Sequence, residues 1–178
     1  YWSRLKKTPR LRGLPISMSI EPTTSCNLRC PQCPSGLRSF SRPTGAIDVD
    51  FFKSAVDAVK DHLVYLMLYF QGEPLLHPRF LELVKYASAR RIYTATSTNA
   101  HFIDRETADQ IVSAGLDRLV ISMDGIEQTT YAKYRIGGNI DKVKRGLAHL
   151  IAAKRRHKSR RPHVILQFIV FGFNEHEI

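Results

Sequence analysis

Apolar positions along this chain fall into two alternating kinds of run. Short, nearly continuous apolar stretches occur at 16–20, 63–70, 92–97, 116–123 and 163–170, most of them bounded by turn or polar residues. Runs of that length predict short buried strands. Between them, apolar residues recur at helical spacing. Asp48 predicts an N-cap ahead of Phe51, Phe52, Ala55, Val56 and Val59 on one face, because a carboxylate there accepts from the unpaired amides of a first helical turn. Pro78 predicts the first turn of the next helix, with Phe80, Leu81, Leu83 and Val84 inward, since proline has no amide to leave unpaired. Asp104 predicts the cap of a third helix that Gly115 ends. A fourth covers about 141–157, with Val143, Leu147, Leu150 and Ile151 spaced for one face.

Strand and helix in strict alternation predict an α/β fold with a parallel sheet and right-handed crossovers. In such sheets ligands gather at the carboxyl ends of the strands. The segments that follow the five runs hold Cys26 to Cys33, then Gln71, Gly72, Glu73 and Pro74, then Thr98, Asn99 and Ala100, then Asp124 and Gly125, then Phe171 and Gly172. All should meet on one rim. With 43% hydrophobic and 24% charged residues the composition is that of an ordinary globular domain, and no apolar stretch approaches the ~20 residues that span a bilayer. The expected layout is a basic tail at 1–13 and one core domain at 14–178. The net charge of +11 is concentrated in Arg4, Lys6, Lys7, Arg10 and Arg12 and in a second patch from Lys154 to Arg161. Such patches can hold nucleic acid. The plainer reading of the second, a solvated helix end complementing the macrodipole, is preferred because no aromatic platform is interleaved with it.

The chemistry is in the cysteines. The chain has three, and all fall in one C-x3-C-x2-C run: Cys26, Cys30 and Cys33. A disulfide framework wants an even count and a secreted setting. Structural zinc takes four protein ligands, and an ordinary iron–sulfur cluster takes four thiolates. Three thiolates on a four-iron cube leave one iron open to a small molecule. Zinc completed by a histidine, with His62 and His77 nearest, stays open, as do three unligated buried thiols. Low-potential metal chemistry and free thiolates predict a reducing cytoplasm.

The loop, with Pro22, Thr23, Thr24 and Ser25 before it and Pro34 after it, resembles the signature of the radical S-adenosylmethionine (SAM) enzymes. It is especially similar to the branch that often carries auxiliary clusters beyond the core. The resemblance implies a partial (β/α)6-type TIM-like barrel of parallel strands with flanking helices. It also implies a [4Fe-4S] cluster on Cys26, Cys30 and Cys33, whose fourth iron is chelated by the amino and carboxylate groups of SAM. Gln32 stands where the family usually has an aromatic residue near the adenine, and its amide can lie flat against a base. Gly72 and Glu73 match the family's Gly-Gly-Glu-Pro-like segment, with Gln71 in place of its first glycine. There Glu73 would accept from the ligand ammonium. Ser122 would bind the ribose, Arg135 the SAM carboxylate, and Asn99 would line the pocket; Gln167 would point into the barrel. Each has a plainer reading as a strand-end turn or a solvent-facing charge.

The implied reaction is one-electron cleavage of SAM to methionine and a 5′-deoxyadenosyl radical, which takes hydrogen from a substrate. The electron would come from a donor such as flavodoxin or ferredoxin. The branch resembled suggests a peptide or protein substrate, and no catalytic acid or base can be named on the substrate side. A non-catalytic iron–sulfur or zinc module and a nucleic-acid-modifying protein are the alternatives. Five strands against the family's six units predict that the final strand–helix unit is missing, as in a partial gene product.

Overall fold

The computed structural model describes Arg4, Lys7 and residues 13–178; Lys6, Arg10 and Arg12 of the expected tail lie outside the described residues. Each predicted apolar run contains one strand: β1 (Ser17–Ser19), β2 (Tyr65–Met67), β3 (Tyr93–Thr98), β4 (Arg118–Ser122) and β5 (His163–Gln167). They form one sheet in the order β1-β2-β3-β4-β5, and every neighbouring pair is parallel. β2 covers only part of its apolar run, although just beyond its ends Tyr93 N donates to Val64 O and Leu68 N to Ala95 O at 2.8–2.9 Å, and Leu63 and Leu68 are buried. β1 and β5 are the two edges and do not pair with each other, so the barrel is not closed. Leu166 on β5 is 52% exposed, and Gln167 is exposed too, rather than enclosed as expected.

The helices are α1 (Pro34–Leu37), α2 (Val49–Asp57), α3 (Phe80–Ser88), α4 (Arg105–Ser113), α5 (Gln128–Tyr134) and α6 (Ile140–Arg156). Asp48 caps α2 by accepting from the amides of Asp50 and Phe51. Asp104 caps α4 by accepting from Thr107, and Gly115 follows its end at φ +80°, a left-handed conformation that costs glycine little. Two boundaries differ from expectation. Pro78 lies just outside α3, whose N-cap is Arg79. α6 begins at Ile140, one residue early, because Asn139 accepts from the Lys142 amide.

Phe52, Val56, Leu66, Leu83, Val84, Leu119, Ile121 and Leu150 are fully or almost fully buried in one core. Phe51 and Ile151, expected inward, are 66% and 42% exposed. Each sits next to a buried residue, Phe52 or Leu150, and a step of one residue turns about 100° around the helix. Each therefore lies at the edge of its helix's apolar face, where packing turns it outward.

The second basic patch is a partly paired helix end. Arg156 and His157 both reach Asp109, at 2.8 and 3.0 Å, and Arg161 reaches Asp117 at 2.8 Å. The bond from Arg156 holds the Asp109 carboxyl below its ordinary range. Among the described residues no helix is long and apolar enough to cross a membrane.

Candidate metal centre

The carboxyl ends of β1 to β4 surround a cavity of about 190 Å³ lined by all three cysteines together with Gly72, Glu73, Asn99, Ser122 and Arg135. Tyr69, Phe70 and Tyr134 border it as well. Of the residues expected to bind the cluster or SAM, Gln32 is outside this lining and exposed on the cysteine loop; Pro74, Ala100, Asp124, Gly125, Phe171 and Gly172, expected on the same rim, do not line it either. Backbone bonds fix the loop: Thr24 N donates to Gly45 O, Arg29 N to Ile136 O, and Leu37 N to Cys33 O, all at 2.8–2.9 Å. α1 presses directly on it. A Cβ at Gly36 would collide with the backbone of Cys30, and one at Gly72, which has φ +76°, would collide with Thr23 O.

The sulfurs have polar neighbours suited to thiolate. The Leu28 amide donates to Cys26 Sγ at 3.4 Å, and Arg135 Nη1 lies 3.9 Å from Cys30 Sγ. Without a cation these groups do not suffice. Burial pushes the Cys26 thiol up to about 11, the Leu28 amide pulling the other way. Burial also raises Cys30, against the Arg135 charge. Three soft sulfur donors on one loop, Cys30 buried and the other two half-buried, fit a thiolate-held metal centre. Among the described residues no group of three or more His, Cys, Asp or Glu closes around a single metal ion. His77 has no nitrogen to offer zinc: Nε2 meets Ile47 O at 3.0 Å and Nδ1 accepts from Arg79 N at 3.1 Å.

The raised Cys26 pKa has a measurable consequence in cluster-free protein. Two pH units above the ordinary value leave about 100-fold less thiolate at pH 8, and thiolate is the reacting species. Alkylation of Cys26, followed by mass spectrometry, should be slower by that factor than for an exposed thiol. Its rate should keep climbing to about pH 11. A plateau near pH 9 would show that the thiol is not shielded.

Glu73 is fully buried. Its Oε1 accepts from Thr98 Oγ1 at 2.7 Å and from Leu75 N at 3.2 Å, while Oε2 accepts from Asn99 N at 2.8 Å. Burial raises its carboxyl, and these donors oppose the rise. The carboxylate thus fastens the loop after β2 to the end of β3. Asn99 continues the chain of contacts, donating from Nδ2 to Asn27 Oδ1 on the cysteine loop at 2.8 Å.

Arg135, just after α5, is fixed by a partner that the sequence reading missed. Its Nε meets Oδ2 of Asp124 at 2.5 Å; Asp124 is completely buried, and its Oδ1 accepts from Ile169 N at 2.8 Å. Asn174, also missed, donates from Nδ2 to the carbonyls of Asp124 and Ile169. The available signal was an acidic residue closing β4 with an arginine a short helix further on.

A parallel α/β sheet thus brings three thiols, a half-buried arginine and strand-end polar groups to one rim cavity, a soft donor set beside room for a small polar ligand. The chain belongs to the radical SAM superfamily, whose sequence profile matches residues 20–178. It is 33% identical over 144 residues to the mycofactocin maturase MftC of Mycobacterium tuberculosis, covering 80% of this chain and 36% of that protein. With the PqqA peptide cyclase of Bradyrhizobium diazoefficiens it shares 29% identity over 123 residues, 69% of this chain and 32% of that one. The chain spans about a third of the length of these curated relatives. Its fold resembles that of anSMEcpe with bound AdoMet, at TM-score 0.67 and 22% identity, covering 86% of this chain and 44% of that chain. The superfamily is one of enzymes that use a [4Fe-4S] cluster and SAM.

Proposed function

We propose that residues 14–178 form the SAM-cleaving core of a radical SAM enzyme. The observation that carries this reading is the convergence of Cys26, Cys30 and Cys33 on the same cavity as Gly72, Asn99, Ser122 and Arg135. When bound, the cluster supplies the electron that splits the sulfonium of SAM. The chain's own residues hold and orient. The three cysteines ligate three irons, and Gly72 lets backbone carbonyls approach the ligand's ammonium. Arg135, with Nε taken by Asp124 and Nη1 beside Cys30 Sγ, keeps its Nη2 group for the SAM carboxylate, a charge-assisted contact. Ser122 donates to the ribose, and Asn99 lines the same wall. Glu73 acts one step back: its carboxylate holds Thr98 and Asn99 at the end of β3. Gln32, exposed outside the cavity, has no part in this arrangement.

For the substrate, a peptide or protein is supported by the names of the maturase and the peptide cyclase. The electron comes from a carrier of the flavodoxin or ferredoxin class. Anaerobic reconstitution with iron and sulfide, followed by SAM and dithionite, tests the reading. The expected result is about four irons per chain, with 5′-deoxyadenosine and methionine as products. Zinc uptake in place of iron, or iron-loaded protein that releases no 5′-deoxyadenosine, overturns it.

A further inference from the structure

Cys26 borders two hollows. One is the site cavity; the other, about 470 Å³, lies against the same loop and is bordered by Ser25, Ser35, Arg38 and Phe40. At this point a single residue separates the sulfur ligands from the molecular surface. That surface is one-signed. Between Glu21 and Asp48 the chain has no acidic residue, while it has Arg29, Arg38 and Arg42. Arg42 is paired with Glu21 at 2.6 Å. Arg29 and Arg38 are exposed, and neither forms an ion pair among the described residues. Leu37, next to Arg38, is 57% exposed, and Pro31 is exposed too. This small apolar spot with two free cations rides on backbone that the Leu37–Cys33 and Arg29–Ile136 bonds hold firm.

We propose that this outer face of the cysteine loop is the docking surface for an acidic one-electron carrier protein. The inference rests on the radical SAM reading for the electron's destination. Electron transfer slows steeply with distance, so a donor must come where the wall over the cluster is thinnest. Small, charged and weakly bound faces are typical of redox encounters, and unpaired cations steer an acidic partner onto them. One electron passes to the cluster, taking it from the 2+ to the 1+ state and the carrier from its reduced to its one-electron-oxidised form. No bond forms or breaks. Nucleic acid fits less well: the Phe40 ring, the aromatic at this hollow, already has the Arg42 guanidinium over it at 4.9 Å, so it offers no open platform for a base.

The test is stopped-flow reduction of the cluster-loaded protein by reduced flavodoxin, at low and high salt, with binding of oxidised flavodoxin to cluster-free protein measured alongside. Arg29→Glu combined with Arg38→Glu should lower the second-order rate at low salt by about tenfold or more. Reduction by photoreduced deazaflavin, a small donor, should not change. Lys85→Glu with Lys144→Glu makes the same change in net charge on exposed helix positions and should leave the flavodoxin rate within about twofold. An equal loss in that control, or an unchanged rate in the arginine variant, overturns the proposal. So does tRNA binding that depends on Arg29 and Arg38 while the flavodoxin rate does not. A chain that takes up no iron yet binds flavodoxin through these two arginines sinks the radical SAM reading and supports the docking face.

Discussion

Replacing Cys30 with alanine is expected to drop bound iron after anaerobic reconstitution from about four per chain to below about one, while the polypeptide stays folded. The thiol is nearly buried, 6% exposed, and has Arg135 Nη1 3.9 Å from its sulfur. Losing it strips one iron corner of its protein ligand, and the two remaining cysteines cannot hold a cube that already has one corner open. In the cluster-free protein the change removes one small side chain from the edge of the core. Its cost should be about 1 kcal/mol, the centre of the range for point substitutions. Cys30→Ser separates size from chemistry, because a hydroxyl fills the space but is a hard, poor ligand for a cluster; it too should load no iron. Iron and sulfide analysis beside a urea titration checks both halves. A full iron complement in either variant removes Cys30 from the ligand set.

Asp124→Ala should have the largest effect on stability, about 3–5 kcal/mol, the usual result of stripping one partner from a buried ion pair. Asp124 is 0% exposed and the Arg135 side chain 15%, so the guanidinium left behind has little water to turn to. The Ile169 amide loses its acceptor as well. Asp124→Asn should cost less than alanine, since an amide oxygen can still accept from Ile169 N, although the charge is gone and the amide NH2 then faces the Arg135 Nε donor. Combining Asp124→Ala with Arg135→Ala should be clearly milder than the sum of the two singles, because the double variant leaves no orphan charge. Urea unfolding of the cluster-free variants reads all of this. Strict additivity would mean that the pair contributes nothing as a pair.

The sequence made the periodic part of the fold legible. Buried strands and amphipathic helices have to repeat at fixed intervals, and the caps at Asp48 and Asp104 are local chemistry that a short window contains. The rim followed in part from topology: Cys26, Cys30, Cys33, Gln71, Gly72, Glu73, Thr98 and Asn99 border one cavity, whereas Asp124, Gly125, Phe171 and Gly172 do not, and Ser122 and Arg135 were expected from the family resemblance alone. What escaped was either too short or too non-local. α5 has Thr129, Thr130 and Tyr131 in its first turns, all indifferent helix formers, and Glu127 at its N-cap makes no side-chain bond. α1 is a single turn. The Asp124–Arg135 pair and the threefold hydrogen bonding of Glu73 are decided by which strand ends come together, and no local pattern announces them. Glu73 shows the limit best: the loop was placed correctly, yet the carboxylate faces its own chain. Phe51 and Ile151 failed differently, since a helical wheel offers an edge residue to either side and only packing decides.

Because each strand pairs only with its neighbours in sequence, the sheet can be laid down in the order of synthesis. The cysteine loop emerges early, whereas the arginine beside Cys30 follows 105 residues later. At the ~5–20 residues per second of translation, the nascent thiols spend about 5–20 s without that cation. Cys30 therefore gains its cationic neighbour only once the fourth strand and the short helix behind it are complete, long after the cysteine loop has emerged.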